Sequence, residues 1–297
     1  MNKAMLSQLT DLHGLTICEN EPMSKHSTFK IGGPAKLFIE ATTTDALISA
    51  SRILSIFEQS PLFLGNGSNM LFSDSGFDGV ILKNSSSSIT ISENTISADA
   101  GALLPVVSAS AMKNSLSGLE FAQGIPGSVG GALVMNAGAY GGEVAQVLTK
   151  STYLSNGEIH SLNKDEHSFS YRSSFYKKHP ECLILSAEFE LTTGDSSEIA
   201  NKMRDFATRR REKQPLEYPS AGSVFKRPEG HFAGALIEQC GLKGKRIGGA
   251  SVSKKHAGFI INDGGATADD VKKLICFIQE TVLKEAGVSL ECEICIL

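Results

Sequence analysis

The stretch that decides the fold is GIPGSVGGALVMNAGAYGG, residues 124–142, in which glycine occupies seven of 19 positions. Average composition has about one glycine in 14 residues, so this density needs a physical reason. Because glycine carries no side chain, backbone N–H groups can approach an anion closely, and successive N–H groups in such turns form anion-binding nests. The segment is either a cradle for a pyrophosphate or a set of tight turns between packed strands, and by itself it favours neither.

Two earlier glycine turns accompany it, at residues 65–69 (GNGSN) and 31–35 (IGGPA). Residues 62–64 predict a short buried strand, so the turn at 65–69 is expected at the carboxyl edge of a βα-type sheet, where ligands bind. The chain has neither G-x-G-x-x-G with a following acidic partner nor G-x-x-x-x-G-K-[ST], which argues against an ordinary Rossmann or P-loop enzyme. Three glycine turns around one ligand suit a long dinucleotide.

The composition is that of a globular protein, with 297 residues of which 41% are hydrophobic and 20% charged. A net charge of −4 provides no basic surface for sequence-independent nucleic-acid binding. The N-terminus lacks the apolar core of a signal peptide, and no apolar run reaches the length of about 18 residues that a membrane span needs. We therefore expect a cytoplasmic protein.

The six cysteines are too sparse for a disulfide framework and the seven histidines show no ligand spacing, so no metal is expected.

Hydrophobic periodicity and turn residues predict alternating helices and strands. The predicted helices are at residues 45–57, 103–114, 199–211, 232–240 and 267–286. The predicted strands are at residues 62–64, 79–83, 89–98, 149–162, 182–191, 258–262 and 288–297, where 89–98 and 149–162 are hairpins. The serine run at 85–88 and the turn at 192–195 mark boundaries, which gives domains at residues 1–84, 85–194 and 195–297.

Three residues outside the glycine turns are candidates for chemistry. Ser223 has small neighbours that would leave its hydroxyl uncovered, although most serines are structural, and the absence of G-x-S-x-G excludes a hydrolase elbow. Arg172 alone is most often a surface arginine. Glu293 lies in an apolar terminal strand and must face either solvent or a functional cleft.

Cys292 and Cys295 form C-x-x-C, but alternation along a strand sends them to opposite faces, which disfavours a redox or zinc site.

Basic residues cluster at two places in the last third of the chain. The arginines at 209–211 are typical of a solvated helix end and could also contact ligand phosphates. Lys243, Lys245 and Arg246 lie in a glycine-flanked stretch and form a concentrated positive site that would fit a nucleotide diphosphate.

Taken together and in order, these segments resemble the UDP-N-acetylenolpyruvoylglucosamine reductase family. The resemblance spans nearly the whole chain and rests on seven motifs. These are TFKIGGPA (28–35), LGNGSN (64–69), GIPGSVGG with MNAGAYG (124–131 and 135–141), YRSS (171–174), YPSAGSVF (218–225), IGGA (247–250) and LECEI (290–294).

The resemblance implies an α+β fold in which two FAD-binding subdomains of the vanillyl-alcohol-oxidase/PCMH type precede a C-terminal α+β substrate domain. It implies bound FAD, NADPH as co-substrate and a small UDP-sugar substrate, and no obligate protein partner. The short span between Arg172 and the strand predicted at 182 is similar to the family's second subtype, which lacks an extra substrate loop. Cys295 stands where the family usually has a basic residue, which leaves the substrate contacts at that end open.

The resemblance also implies residue roles. Arg172 would stabilise an enolate, Ser223 would donate a proton, and Glu293 would polarise the enol or relay a proton. The implied FAD contacts are Lys30, Gly32, Gly65, Asn66, Gly67, Ser68, Asn69, Gly124, Ile125, Pro126, Gly127, Ser128, Gly130, Gly131, Asn136 and Ala137. The implied substrate contacts are Tyr218, Lys226, Lys243, Arg246 and His256.

Two rival hypotheses use the same glycine turns. A flavin-dependent oxidase of alcohols or sugars on this scaffold would need neither Ser223 nor Glu293. A regulatory nucleotide-binding module would need none of the three candidate catalytic residues, and it would purify without the colour of flavin.

Overall fold

The structure is a computed structural model that describes residues 2–297. Its α-helices are α1 Lys3–Thr10, α2 Thr44–Ile56, α3 Leu104–Lys113, α4 Val129–Met135, α5 Val144–Val147, α6 Phe175–Lys178, α7 Ser196–Lys213, α8 Ala233–Gln239 and α9 Ala268–Ala286. Its strands are β1 Leu15–Pro22, β2 Pro34–Ala41, β3 Leu62–Leu64, β4 Met70–Leu71, β5 Phe77–Asn84, β6 Ile89–Ser92, β7 Thr95–Asp99, β8 Leu116–Ser117, β9 Gly138–Ala139, β10 Gly142–Glu143, β11 Leu148–Ser155, β12 Glu158–Asn163, β13 Leu183–Glu190, β14 Thr192–Thr193, β15 Ser220–Ser223, β16 Arg246–Ile247, β17 Ala250–Val252, β18 Phe259–Asn262 and β19 Cys295–Ile296.

Helices α2 and α9 begin and end where local sequence signals predicted. Helix α9 starts after Thr267, whose side chain accepts from the N–H of Asp270 in a capping box, and it stops at Gly287 in the left-handed conformation. Helix α2 starts after Thr43, whose hydroxyl accepts from the N–H of Ala46. The predicted helices at 45–57 and 267–286 are therefore confirmed to within one residue at either end.

The chain forms two compact units. Unit 1 comprises residues 1–19, 37–66 and 79–208, and contains the body of a four-stranded sheet in the order β1-β2-β5-β3 and a five-stranded sheet in the order β12-β11-β13-β7-β6. It has two hydrophobic cores. One core centres on α1, α2 and β2 and the other on α3, α4 and β13.

Strands β3 and β5 of unit 1 pair in parallel, with Leu62 opposite Ile81 and Leu64 opposite Lys83. Because parallel strands end at the same edge of a sheet, the chain after β3 and the chain after β5 emerge side by side. This confirms that the glycine turn at 65–69 begins at the carboxyl edge of a parallel pair.

Unit 2 comprises residues 20–36, 67–78 and 209–297. A four-stranded antiparallel sheet in the order β15-β18-β17-β16 packs with α8 and α9 around one core. Val271, Leu274, Ile278 and Val282 of α9 lie in that core, as the 3.6-residue periodicity predicted.

The long terminal strand predicted at 288–297 is wrong, because only Cys295–Ile296 forms a strand, paired in parallel with β4. Leu290 and Ile294 are buried as the alternation predicted, but Ile296 is 38% exposed. The segment changes partners along its length: Lys226 donates its N–H to the carbonyl of Glu291, whereas Cys295 donates to the carbonyl of Asn69. A pattern of alternation predicts which way side chains point, not how many residues find a partner strand.

Among residues 2–297, we find no helix whose length and hydropathy together would let it cross a membrane.

Candidate active site

A cavity of about 420 Å³ opens in unit 1 at the carboxyl edge of the parallel pair. Its wall is formed by the ends of β3 and β5, the serine segment that follows β5, and the loop that enters α3. The lining residues are Gly65, Asn66, Lys83, Asn84, Ser85, Ser87, Ile89, Gly101, Ala102, Leu103 and Val106. Its size lies within the range of about 300–1,000 Å³ that is usual for small-molecule sites.

A carboxylate on β2 organises one side of this cavity. Glu40 Oε1 accepts from the ammonium group of Lys83 at 2.7 Å and from the hydroxyl of Ser85 at 2.6 Å. All three side chains are partly buried. Because a charge-assisted hydrogen bond fixes geometry more strongly than a neutral one, Glu40 holds two polar lining groups in place.

The loop before α4 packs against the turn that follows β3. The side-chain amide of Asn66 donates to the carbonyl of Pro126 at 2.5 Å, and a Cβ added to Gly65 would collide with the hydroxyl of Ser128. Ser128 also caps α4 by accepting from the N–H of Gly131. The backbone of Gly65 therefore lies close to the Ser128 hydroxyl, where two loops meet that the sequence assigned to the cofactor.

Part of the hydrogen-bonding capacity of the glycine-rich segment is used within the protein. Gly130 donates its N–H to the carbonyl of Ala100 at 2.7 Å, and Ile125 donates to the carbonyl of Ala122 at 3.1 Å. Ala137 donates to the carbonyl of Ala132 at the end of α4. The remaining predicted members of this segment, Gly124 and Gly127, lie in the loop before α4.

Arg172 lies in a tight turn in unit 1. Ser170 and Ser173 exchange both backbone hydrogen bonds around it, and Arg172 itself has φ +53° in the left-handed region. The amide of Asn136, which is only 2% exposed, donates to the carbonyl of Ser170 and accepts from the N–H of Ala145. Asn136 therefore ties the end of α4 to the turn that presents Arg172.

Ser223 and Glu293 lie together in unit 2. Ser223 ends β15, directly after Gly222 with φ +79° and a register shift in the pairing of β15 with β18. Phe225 and Cys292 form a β-bridge, and Glu293 donates its N–H to the carbonyl of Val224 at 2.7 Å. Both Ser223 and Glu293 are half-buried. A register shift of this type changes the direction in which a side chain points. Here the shift comes just before Ser223, whose neighbour Val224 is hydrogen-bonded to the segment that carries Glu293.

Some of the predicted FAD-binding residues lie in unit 2, and backbone contacts connect their turn to the start of β15. Gly67 has φ +61°, and a Cβ there would collide with the carbonyl of His26. Thr28 donates its N–H to Gly67 and its hydroxyl to the carbonyl of Ser220, at the start of β15. Further predicted members of this set are Lys30 with φ +57°, Gly32 with φ +137°, Ser68 and Asn69.

Three of the predicted substrate contacts are cations already paired with carboxylates. Lys226 lies 2.8 Å from Glu291, Lys243 lies 2.6 Å from Glu238, and Arg246 lies 2.9 Å from Asp263. The pairs are partly to largely exposed, so the stabilisation each contributes is small.

The other two predicted substrate contacts are a phenol and an imidazole. Tyr218 is 41% exposed before β15. His256 is half-buried, and burial lowers its pKa below the usual 6.5. Its Nδ1 accepts from the N–H of Gly258, which leaves the other ring nitrogen as the donor in the neutral form.

Several cavity residues were missed by sequence reasoning, which treated 85–88 only as a linker. Asn84, Ser85 and Ser87 line the cavity, and the buried Asn84 side chain accepts from the N–H and hydroxyl of Ser86. A signal was present in the sequence. Polar residues directly after the second of two parallel strands lie at the same edge as the glycine turn after the first.

The residues around the cavity fit an FAD molecule. Glycine at 101 lets backbone approach backbone, since a Cβ at Gly101 would meet the carbonyl of Ser86 at 2.5 Å. Hydroxyls, an amide and the Lys83 ammonium supply the hydrogen-bond donors that a nucleotide needs, while Ile89, Leu103 and Val106 supply apolar surface for a ring system.

Comparison with known proteins defines the class first. Residues 35–163 match the family model of an FAD binding domain. With the α+β architecture and the cavity described above, the chain is an FAD-binding protein with a further α+β region after the FAD-binding domain.

The particular family follows from four further matches. Residues 214–297 match the model of the C-terminal domain of UDP-N-acetylenolpyruvoylglucosamine reductase. Reductases of that name from Clostridium perfringens strain SM101 and Clostridium botulinum strain Hall are each 46% identical to this chain. The match to the C. perfringens reductase covers 95% of this chain and 93% of that protein. The match to the C. botulinum reductase covers 99% of this chain and 97% of that protein. The crystal structure of the reductase from Thermus caldophilus has a TM-score of 0.81 at 33% identity, covering 95% of this chain and 98% of that one. The chain belongs to the UDP-N-acetylenolpyruvoylglucosamine reductase family.

Proposed function

We propose that this chain catalyses the NADPH-dependent reduction of the enolpyruvyl group of UDP-N-acetylglucosamine enolpyruvate to give UDP-N-acetylmuramate, a peptidoglycan precursor. The single observation that carries the proposal is the location of Ser223 beside the segment of Glu293 in a member of this family. A hydroxyl and a carboxylate on neighbouring segments are what protonation of a substrate carbon requires, and an oxidase on the same scaffold would need neither.

The glycine turns at 65–69 and 124–131 would hold FAD, which, once reduced by NADPH, would supply a hydride to the methylene carbon of the substrate. The electron pair of the enolpyruvyl double bond then moves toward the substrate carboxylate, which becomes an enolate. Arg172 stabilises that charge with a planar, permanently charged fork, and a preorganised donor of this type contributes about 3–4 kcal/mol. Ser223 donates its proton to the alpha carbon, and Glu293 polarises the enol or relays the proton.

The proposal extends to substrate contacts and domains. Lys226, Lys243 and Arg246 bind the diphosphate by exchanging their carboxylate partners for phosphate oxygens, with Tyr218 and His256 beside them. We place the division of the flavin-binding region at residue 84 and the start of the substrate domain at residue 195. The match of residues 214–297 to the C-terminal domain model supports a separate C-terminal domain. A cytoplasmic location and small-molecule partners complete the proposal, and the net charge of −4 supports the absence of a nucleic-acid partner.

The test is the visible spectrum of the purified protein under anaerobic conditions. One equivalent of NADPH is added, followed by one of UDP-N-acetylglucosamine enolpyruvate. We expect NADPH to bleach the flavin and the enolpyruvyl nucleotide to restore its colour. A flavin that bleaches and stays bleached would overturn the substrate, and a protein that neither carries nor takes up flavin would overturn the whole proposal.

A further inference from the structure

Asn69 contacts the C-terminal segment on both sides of Ile294. Its side-chain amide donates to the carbonyl of Glu293 at 3.2 Å, and its backbone carbonyl accepts from the N–H of Cys295 at 2.9 Å. The second contact begins the parallel pairing of β4 with β19. Asn69 therefore binds the backbone of both Glu293 and Cys295.

Glu293 lies at the point where its segment changes partners. Before it, Cys292 bridges Phe225 and the N–H of Glu293 binds Val224, whereas after it the segment pairs with β4. A strand that changes partners has an interrupted hydrogen-bond ladder at the switch. The amide of Asn69 bonds the Glu293 carbonyl at that position, where a regular ladder would have supplied a backbone donor.

The turn that carries Asn69 is itself tightly constrained. Thr28 donates its N–H to the carbonyl of Gly67, and Gly67 packs so closely against His26 that a Cβ there would collide. The amide of Asn69 is half-buried. A donor on a constrained turn loses little conformational freedom when it bonds, so it can fix the position of another segment.

We propose that Asn69 is a positioning residue for Glu293. The sequence assigns Asn69 to flavin binding, and the geometry points to a second role in fixing the backbone that carries the Glu293 carboxylate beside the end of β15. This inference rests on the proposed function, because it concerns the proton delivered after hydride transfer. Misplacement of a reacting group by about 1 Å can cost on the order of a hundred-fold in rate. We expect loss of the Asn69 amide to slow protonation of the substrate by about ten- to a hundred-fold.

The test compares Asn69→Asp and Asn69→Ala with the parent in anaerobic stopped-flow experiments. Asn69→Asp keeps the shape of the side chain and replaces the donor by an acceptor facing the Glu293 carbonyl. The matched control is Asn114→Asp, because Asn114 also donates its amide to a backbone carbonyl, that of Ser110 at 2.9 Å, at the end of α3.

Four quantities are measured for each variant: bound flavin, the rate of bleaching by NADPH, the maximal rate of colour recovery, and the substrate concentration that gives half of that maximal rate. Rates are compared per bound flavin with FAD added to saturation, because Asn69 is also an implied flavin contact. We expect both Asn69 variants to lose maximal recovery rate while bleaching rate and half-saturation stay near the parent values, and the control to match the parent throughout. Parent-like recovery in Asn69→Asp, or an equal loss of both rates per bound flavin, would overturn the positioning role. A parent enzyme that bleaches without recovering would overturn the proposed function itself, and this role with it.

Discussion

Glu293 donates its backbone N–H to the carbonyl oxygen of Val224 at 2.7 Å, one residue beyond Ser223. In sequence, Ser223 and Glu293 are 70 positions apart, and Glu293 is four positions from Leu297. The contact places the hydroxyl-bearing end of β15 and the carboxylate-bearing segment side by side in unit 2. We therefore expect Ser223 to donate a proton to the substrate from this position.

We predict that Ser223→Ala leaves reduction of the flavin by NADPH unchanged and slows its reoxidation by the enolpyruvyl nucleotide by about 10²–10⁴-fold, the usual contribution of a positioned acid. Stopped-flow absorbance of the flavin separates the two half-reactions. Ser220→Ala at the other end of β15 is the control, because only the backbone carbonyl of Ser220 is used by Thr28. Equal loss of both half-reactions in Ser223→Ala would indicate a folding role instead.

We predict that Arg172→Lys lowers the turnover number by about 10²–10³-fold, because lysine keeps the charge but lacks the bidentate fork. The backbone of the turn does not depend on this side chain, since Ser170 and Ser173 close it. Steady-state kinetics measures the effect. Arg52→Lys is the matched control in unit 1, because the Arg52 guanidinium donates two hydrogen bonds to the backbone carbonyl of Gly157. A fully retained turnover number in Arg172→Lys would refute the enolate assignment.

We predict that Gly67→Ala destabilises the protein more than Gly157→Ala does. Both glycines have positive φ, +61° and +78°, so both variants carry the left-handed strain of about 1–2 kcal/mol. A Cβ at Gly157 meets nothing within 4 Å, whereas at Gly67 it collides with His26, which adds about 1–3 kcal/mol. Urea denaturation of the two variants measures the difference in unfolding free energy. Equal values would show that the turn at Gly67 relaxes without cost.

A buried histidine predicts how stability depends on pH. His167 is fully buried, its Nδ1 faces the carbonyl of Asn163 at 2.8 Å, and its Nε2 lies 2.6 Å from the hydroxyl of Ser151. Since a carbonyl only accepts, Nδ1 carries the proton, Ser151 donates to Nε2, and Tyr176 donates to Ser151. Burial lowers the pKa of His167 below 6.5, and burial likewise raises the pKa of Tyr176.

Because the folded state favours neutral His167, the unfolded chain binds the extra proton. Its contribution to stability is therefore complete above pH 6.5 and is lost as the pH falls from 6.5 through the lower pKa of the folded state. His256 contributes with the same sign. We expect the unfolding free energy, measured in urea between pH 7.5 and about 5.5, to fall with pH less steeply in His167→Gln than in the parent. The exposed His13 supplies the control His13→Gln, and a slope in His167→Gln equal to that of the parent would contradict the prediction.

Local signals in the chain predicted the elements well, and tertiary partners decided where prediction failed. The helix at 267–286 is correct because its cap Thr267, its apolar face and its stop Gly287 all lie within one segment. The terminal strand is wrong because its alternation says nothing about β4, its partner from residues 70–71. The cavity serines at 85 and 87 were missed because their importance depends on the parallel pairing of β5 with β3.

By itself the sequence determined the glycine turns, the helices and most strands, the α+β class and, through the ordered motifs, the family. These follow from backbone geometry and hydrophobic periodicity, which act over a few residues. Only the tertiary structure decided that Asn136 holds the turn of Arg172, that Asn69 holds Glu293, and that Glu40 holds two walls of the cavity. Each of these relationships joins segments at least 34 residues apart, and a side-chain hydrogen bond between distant segments exists only once packing has brought its donor and acceptor together.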